Sequence, residues 1–387
     1  MKTIPYGRQS ISENDINAVV EVLRSDWLTQ GPVIERFEKA VAKYCNAQYG
    51  VAVCNATAAL HLACMALDIK FGDYVWTTPN TFVASANCAL YCGANIDFVD
   101  IDPKTYNLSV DALAKKLEIA AKNNKLPKLV IPVHFAGQSC DMKAIKQLAD
   151  KYKFHIIEDA SHAIGGKYHD YKIGSCAHSD MTIFSFHPVK IITTGEGGMI
   201  TTNNKDLNDK LRVLRSHGIT RDQNFMQNES EGAWYYEQIA LGYNYRITDM
   251  QCALGLSQFS KVDEFVQKRN ELAKRYDEEL KNLPIIIPFQ EKYNYSAFHL
   301  YVIQLKLDQI KKTRKQVFDE LRNAGVGVNV HYIPVHLQPY YKQLGFKVGD
   351  FPEAEKYYAG AITLPLYPDL KIIDQDFIVN KLQEILF

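Results

Sequence analysis

The stretch Ser185–Gly198, with the sequence SFHPVKIITTGEGG, decides how the fold of this chain is interpreted. It overlaps the run Met181–Phe186, whose alternation is typical of a half-buried strand. Its glycines mark a tight turn, and Met199–Thr202 then has the composition of a second strand. Lys190 is therefore predicted to be held by a sheet rather than by a free surface loop.

A lysine in this position has two possible roles. Burial between strands disfavours the ammonium form, so Lys190 could be the neutral amine that forms a Schiff base with an aldehyde. Alternatively, it is a solvated lysine whose charge protects the edge of a hairpin from pairing with another chain. The local pattern leaves both roles open.

The length and amino-acid composition limit the classes of protein to which this chain can belong. A length of 387 residues predicts about two domains, and a hydrophobic content of 47% is ample for a large core. The 44 basic and 44 acidic residues balance, so charge gives no reason to expect a nucleic-acid partner or an anionic membrane surface. We therefore expect a small-molecule partner, no nucleic acid and no membrane.

Cysteine usage and hydropathy favour a cytoplasmic location. The eight cysteines lie in apolar segments without CxxC spacing, which is typical of reduced core thiols. We expect no signal peptide and no membrane span, because no apolar run approaches the ~18 residues that a span requires.

Strand and helix patterns alternate along the N-terminal half of the chain, which predicts an α/β fold with an open, mainly parallel sheet covered on both faces. Beyond Thr202 we expect a long helical region, Thr248–Leu280, and then a βαβ-like tail that ends in a strand at Val326–His331. The predicted strands of the alternating region are Val51–Cys54, Tyr74–Thr77, Ile96–Val99, Leu129–Val133 and Phe154–Glu158.

Two of these strands are followed by polar residues of functional interest. Asn55-Ala56-Thr57-Ala58 follows the first strand and opens a helix, where free N–H groups and the helix dipole favour a phosphate. Asp159 stands at the carboxyl end of the last strand, where α/β sheets bind their ligands. The alternative for each is an ordinary helix cap.

The order of these features describes a pyridoxal phosphate site. That cofactor needs a lysine for its aldehyde, a carboxylate for its pyridine nitrogen, donors for its phosphate and a flat group against its ring. These four groups are supplied in turn by Lys190, Asp159, the helix start at Thr57 and the aromatic Phe82.

Four motifs also resemble the DegT/DnrJ/EryC1 family of sugar aminotransferases: EDASHA, FSFHPVK, TTGEGG and LGYNYRITDMQCALG. The resemblance implies a fold type I pyridoxal-phosphate enzyme. Its large domain would hold the mainly parallel sheet, and a smaller α+β domain would follow. We predict an N-terminal arm and helix at 1–25, the large cofactor-binding domain with its long connecting helix at 26–282, and the small C-terminal domain at 283–387.

The resemblance also implies the roles of the cofactor site. Lys190 would bond the aldehyde and carry protons, Asp159 would partner the pyridine nitrogen, and Asn244 would reach in from the second subunit of a homodimer with shared active sites. His162 stands where many members have glutamine near the phenolic oxygen. The implied cofactor contacts are Thr57, the Ala58 N–H, Phe82, Asp159, His162, Ser185, Lys190 and Asn244.

For the substrate, the resemblance points to a nucleotide sugar bound by the arm, an early turn and a C-terminal segment. The alternative for His331 and Tyr332 is packing at a strand end. A zinc site built on His162, His187 or His331 with His336 is disfavoured by the spacing and by Pro334. The implied substrate contacts are Tyr6, Leu28, Thr29, Gln30, His331, Tyr332, Ile333 and Pro334.

The activity that the resemblance implies is transfer of an amino group from L-glutamate to C4 of a UDP-linked 4-keto-6-deoxy sugar. A sugar dehydratase on the same fold carries histidine at the lysine position, and Lys190 speaks against that function. A regulator without turnover would carry a fused DNA-binding region, and the chain has no basic segment that predicts one.

Overall fold

Helices and strands alternate along residues 3–387, the part of the chain that the computed structural model describes. The helices are α1 (Glu13–Leu23), α2 (Pro32–Cys45), α3 (Ala56–Ala66), α4 (Ala84–Tyr91), α5 (Val110–Lys122), α6 (Met142–Tyr152), α7 (Lys205–Arg215), α8 (Asp249–Phe259), α9 (Val262–Leu280), α10 (Arg314–Asn323), α11 (Pro339–Gln343), α12 (Pro352–Gly360) and α13 (Ile372–Leu386). The strands are β1 (Tyr49–Val53), β2 (Tyr74–Thr77), β3 (Asn95–Phe98), β4 (Leu129–Ile131), β5 (His155–Asp159), β6 (Lys167–Tyr168), β7 (Tyr171–Lys172), β8 (Met181–Ser185), β9 (Gly198–Thr202), β10 (Ile219–Thr220), β11 (Glu237–Gln238), β12 (Ile285–Ile286), β13 (Asn294–Tyr295), β14 (Tyr301–Leu305) and β15 (Ala361–Leu364).

The largest sheet has the strand order β1-β9-β8-β5-β4-β2-β3. In this order, the neighbours among β8, β5, β4, β2 and β3 pair in parallel, whereas β9 is antiparallel to both β8 and β1. The predicted α/β fold with a mainly parallel sheet is therefore confirmed. The carboxyl ends of β5 and β8 lie side by side in this order, which brings Asp159 and Ser185 to the same edge of the sheet.

Both faces of this sheet are covered by apolar cores. In β8, Met181 and Ile183 belong to the core on one face, and Phe184 belongs to the core on the other. All five residues of β8 are buried, so the prediction of a half-buried strand is wrong. A central strand of a doubly covered sheet buries both of its faces, and such a strand cannot be distinguished by local alternation alone.

The C-terminal part of the chain contains a small antiparallel sheet in the order β12-β14-β15, packed with α10, α13 and the second half of α9. The N-terminal arm lies against this part: the Ile4 N–H donates to the Gly325 carbonyl at 2.9 Å, and the Gly327 N–H donates to the Ile4 carbonyl at 2.7 Å. The predicted domain boundaries stay predictions.

Two predicted elements differ from the structure. The helical region Thr248–Leu280 is divided into α8 and α9. The predicted strand Val326–His331 is wrong, because this segment makes only single bridges, from Val326 to Ile4 and from Asn329 to Thr363. The tail is consequently not a βαβ unit. No helix within residues 3–387 has the length and apolar character to cross a membrane.

Gly198 permits the close approach of β9 to the start of α3. A Cβ atom at this position would lie 2.7 Å from the Asn55 carbonyl carbon and 2.8 Å from the Ala56 nitrogen, both of which are backbone atoms. These atoms cannot move without shifting the helix start, so a side chain is excluded here by contact alone.

Gly198→Ala should therefore lower the free energy of unfolding by about 1–3 kcal/mol, the typical cost of overpacking. Gly7→Ala is the control, because its added Cβ would make only an ordinary contact, 3.7 Å from the Val189 Cβ atom. Denaturant unfolding of both variants measures the difference. Equal stability of the two variants would contradict the proposed close approach.

Candidate active site

A cavity of about 620 Å³ opens at the carboxyl ends of β5 and β8. It is lined by residues from the N-terminal arm, the start of α3, both strand ends and the segment after Val328, which the fold brings together from distant parts of the chain. The predicted site residues among them are Tyr6, Thr57, Phe82, Asp159, His162, Ser185, Lys190, His331 and Tyr332.

Lys190 lies in the loop that connects β8 to β9, and its side chain lines the cavity. Burial lowers its pKa from 10.5 to about 8, against the opposing attraction of the Asp159 charge. Within residues 3–387, its amine has neither a hydrogen-bond nor an ion-pair partner. Because β8 and β9 are inner strands, Lys190 does not protect a free edge of the sheet.

Asp159 ends β5 and is held by neutral donors. Its Oδ2 atom accepts a hydrogen bond from the Ser85 hydroxyl at 2.6 Å, and its Oδ1 atom accepts from the Ser161 hydroxyl at 2.6 Å and the Ser161 N–H at 3.1 Å. These bonds offset the cost of burying a carboxylate. The alternative of a helix cap does not hold, because turns rather than a helix follow Asp159; it caps the turn at Ser161 and also lines the cavity.

The start of α3 and the end of β8 present donors without acceptors. Among the described residues, the Ala56 and Thr57 N–H groups and the Thr57 and Ser185 hydroxyls have no hydrogen-bond partner. Both hydroxyls and the helix start line the cavity. Free N–H groups at a helix N-terminus, joined by two hydroxyls, form an anion site that suits a phosphate.

The Ala58 N–H does not belong to this set of free donors. It donates to the Asn55 Oδ1 atom at 2.8 Å, so Asn55 is the N-cap of α3. The prediction that the Ala58 N–H binds the phosphate does not fit this geometry, and Ala56 and Thr57 provide the free N–H groups instead. The cap and the anion site therefore coexist at one helix start.

His162 is buried in the wall of the cavity and contacts residues from three distant segments of the chain. Its Nδ1 atom accepts the Ala136 N–H at 3.3 Å, and its Nε2 atom lies 3.1 Å from the Tyr332 hydroxyl. The His299 ring lies 4.4 Å from the His162 ring, centroid to centroid. Burial, together with the charges of Lys190 and His331, lowers the pKa of His162 well below its usual value.

Several predicted residues lie outside the cavity. Thr29 forms a bridge with Thr248, and Gln30 lines a second cavity of about 570 Å³ together with Arg246. Asn244 is exposed and bridges Ser216. The predicted residues that do not line the Lys190 cavity are Leu28, Thr29, Gln30, Ala58, Asn244, Ile333 and Pro334.

The sequence did not single out His299, Ser85 or Ser161 as residues of the site. His299 lines the cavity just before β14, and no pattern around it distinguishes it from a core histidine. Ser85 contacts Asp159 across 74 positions of the chain, which no local pattern records. Ser161 could have been found, because it lies two residues after Asp159 in the EDASHA motif.

Comparisons with known sequences give consistent matches. The sequence model of the DegT/DnrJ/EryC1/StrS aminotransferase family matches residues 9–383. The spore coat polysaccharide biosynthesis protein SpsC of Bacillus subtilis (strain 168) is 41% identical over 385 residues, which cover 99% of this chain and 97% of SpsC. The UDP-4-amino-4,6-dideoxy-N-acetyl-β-L-altrosamine transaminase of Campylobacter jejuni (serotype O:23/36, strain 81-176) is 38% identical over 384 residues, with the same coverage.

Solved structures agree with these matches. Helicobacter pylori PseC, an aminotransferase involved in the biosynthesis of pseudaminic acid, superimposes with a TM-score of 0.90 at 30% identity, covering 100% of this chain and 99% of PseC. The PLP form of Spr1654 from Streptococcus pneumoniae has a TM-score of 0.89 at 29% identity, with coverage of 99% and 98%. The predicted fold type and the predicted cofactor, pyridoxal 5′-phosphate, are confirmed. The lysine, the carboxylate and the free donors of the cavity fit that cofactor.

We expect the Lys190 amine of the cofactor-free protein to titrate near pH 8 rather than near pH 10.5. Asp159→Asn should lower this pKa further, because it removes the negative charge that favours the ammonium form. The pH dependence of labelling by an amine-reactive reagent, followed by peptide mass spectrometry, measures both values. Asp170→Asn, at an exposed carboxylate outside the cavity, should leave the pKa of Lys190 unchanged. An ordinary lysine pKa would contradict the burial of this amine.

Proposed function

The chain belongs to the DegT/DnrJ/EryC1/StrS aminotransferase family, and from this premise we propose its donor, its acceptor and its product. The donor is L-glutamate, and the acceptor is a UDP-linked 4-keto-6-deoxy-N-acetylhexosamine that is aminated at C4. The product is UDP-4-amino-4,6-dideoxy-N-acetyl-β-L-altrosamine, as in pseudaminic acid biosynthesis in the cytoplasm. The Campylobacter relative named for this product supports the proposal, as do three stretches that resemble such enzymes: Ile4–Gln9, Leu28–Gly31 and Ser216–Gly218.

The observation that carries the proposal is an unpaired lysine and a hydrogen-bonded carboxylate in one cavity. Pyridoxal phosphate, when bound, supplies an electron sink for the carbanion that forms when an amino acid loses its Cα proton. Neutral Lys190 can accept that proton and return it to a neighbouring carbon. The Asp159 carboxylate would lie beside the ring nitrogen, where a negative charge favours the protonated ring.

The other side chains of the cavity bind and orient. The Thr57 and Ser185 hydroxyls, with the free N–H groups at the start of α3, would hold the phosphate. Phe82, whose side chain is 59% exposed at the cavity, would lie against the ring. Tyr6 and His331 also line the cavity, with ring centroids 5.4 Å apart, and would contact the nucleotide sugar.

We assign two surface segments outside the cavity, 28–30 and the turn that carries Asn244, to the second subunit's site. Asn244 is exposed on its own chain, and Leu28, Thr29 and Gln30 lie apart from Lys190. In a two-fold dimer, each subunit can contribute such a surface to the cavity of the other. The proposed assembly is a homodimer whose two active sites are shared.

A second candidate is amination of another nucleotide-linked 4-keto sugar, such as a bacillosamine- or perosamine-type substrate. The 41% identity to SpsC, which is named for spore coat polysaccharide biosynthesis, favours keeping this candidate. Sugar dehydration is disfavoured, because Lys190 stands at the position that such a dehydratase fills with histidine. Regulation without turnover is disfavoured, because the sequence has no basic segment that predicts a DNA-binding region.

Borohydride reduction of the holoenzyme should fix the cofactor to the peptide that bears Lys190. Lys190→Ala should lower turnover by at least the ~10²–10⁴-fold typical of a general acid–base group. Lys70→Ala, at an exposed lysine, is the matched control and should leave turnover unchanged. A panel of UDP- and dTDP-linked 4-keto sugars with L-glutamate then separates the two candidate substrates. Label recovered on another lysine would contradict the assignment of Lys190.

Mixed dimers test the shared site. Lys190→Ala and Asn244→Asp should each be nearly inactive alone, the second because it sets a carboxylate against the phosphate. If the two variants are unfolded together and refolded as an equal mixture, about half of the dimers should be mixed. Each mixed dimer then holds one site with both defects and one with neither, so about a quarter of the wild-type activity should return. No recovery in a mixture shown to contain mixed dimers would place Asn244 outside the partner's site.

A further inference from the structure

We infer that Tyr332 donates a hydrogen bond to an anionic oxygen of the bound ligands, and that His162 is the positioning residue that points the Tyr332 hydroxyl at that oxygen. The inference rests on the proposed function, because it requires the cofactor or the amino donor to occupy the Lys190 cavity. It follows from the direction of each hydrogen bond around His162.

The contact with Ala136 fixes the tautomer of His162. The Ala136 N–H can only donate, and it lies 3.3 Å from the Nδ1 atom of His162. Nδ1 must therefore be the unprotonated nitrogen of the ring, and the single proton of the neutral imidazole resides on Nε2. The other tautomer would set two hydrogens against each other across this contact.

The tautomer of His162 in turn fixes the direction of its hydrogen bond with Tyr332. The Nε2 atom of His162 lies 3.1 Å from the Tyr332 hydroxyl oxygen, and since Nε2 carries the proton, the hydroxyl accepts. The phenolic proton of Tyr332 therefore takes no part in this hydrogen bond. Within residues 3–387 it has no acceptor, although Tyr332 lines the Lys190 cavity.

The environment of the two side chains keeps these protons in place. Protonation of His162 would break the bond from Ala136, and burial, aided by the charges of Lys190 and His331, lowers the pKa of His162 well below its usual value. The His299 ring, 4.4 Å away, has a pKa lowered by burial and by Lys190. Burial also raises the pKa of Tyr332 far above its usual value, with help from the charge of Asp159. His162 therefore stays neutral, and Tyr332 stays a donor.

The surroundings of the Tyr332 ring keep it in place without competing for its proton. Its ring centroid lies 6.3 Å from those of Phe82 and Phe135, whose phenyl side chains have no acceptor oxygen. A neutral donor in the cavity that also holds the Lys190 amine suits an anionic oxygen. Two ligand groups have this chemistry: the phenolate oxygen of the cofactor and the carboxylate of the amino donor.

Tyr332→Phe in the holoenzyme separates the two sources. Loss of a hydrogen bond to a charged group should raise a dissociation constant by roughly 10- to 100-fold. If the phenolate is the acceptor, dialysis will show weaker retention of pyridoxal phosphate, with unchanged binding of glutarate, an inert dicarboxylate. If the carboxylate is the acceptor, glutarate binding will weaken and cofactor retention will not. Tyr168→Phe, which removes a buried hydroxyl that donates to Asp141, is the control.

Substitutions of His162 test its positioning role. His162→Gln keeps an amide donor for the Tyr332 hydroxyl and should retain binding, whereas His162→Leu should reproduce the loss seen for Tyr332→Phe. The double variant Tyr332→Phe with His162→Leu should lose no more than either single variant. Additive losses, or a Tyr332→Phe variant that changes neither constant, would overturn the inference.

Neutron diffraction from the deuterium-exchanged holoenzyme locates the protons directly. We expect deuterium on the Nε2 atom of His162 and on the Tyr332 hydroxyl, the latter directed at the ligand. Deuterium on Nδ1, or a Tyr332 hydroxyl directed at His162, would overturn the inference. The positions of these protons do not depend on which sugar the protein aminates. If the protons lie as expected and no 4-keto sugar is aminated, the proposed substrate is wrong and this inference stands.

Discussion

The site depends on keeping two opposite charges apart in one buried cavity. Asp159 receives hydrogen bonds from the Ser85 and Ser161 hydroxyls, and Lys190 has no ion-pair partner among the described residues. An ion pair between them would stabilise the ammonium and raise its pKa, whereas burial here lowers that pKa to about 8. Neutral donors thus bind the carboxylate, and the lysine remains free to bond carbon and move protons.

The two groups come from different, neighbouring strands of the sheet. β5 and β8 are neighbours in the sheet, and Asp159 ends the first while Lys190 lies in the loop beyond the second. The N–H groups at the start of α3 lie beside the same edge, where Gly198 lets β9 approach them. Both faces of the sheet are packed with apolar side chains, and the polar groups of the site lie at its carboxyl edge.

Local sequence predicted the parts of the site that lie next to strand ends. Thr57 and Asp159 stand at the ends of predicted strands that the structure contains, and the motifs around them and around Lys190 indicated the family. Contacts between distant segments could not be predicted in this way. Ser85 reaches Asp159 across 74 positions. The segment Val326–His331 makes only single bridges, and its residues from Asn329 onward line the cavity.

The central claim is that Lys190 and Asp159 address opposite ends of one bound ring. A crystal structure of the protein with pyridoxal 5′-phosphate tests it most directly. The account predicts continuous density from the Lys190 side chain to the cofactor, with the ring nitrogen within hydrogen-bonding distance of the Asp159 carboxylate and the phosphate at the start of α3. Density for the ring elsewhere, or an Asp159 carboxylate paired with the Lys190 ammonium while the cofactor is bound, would contradict it.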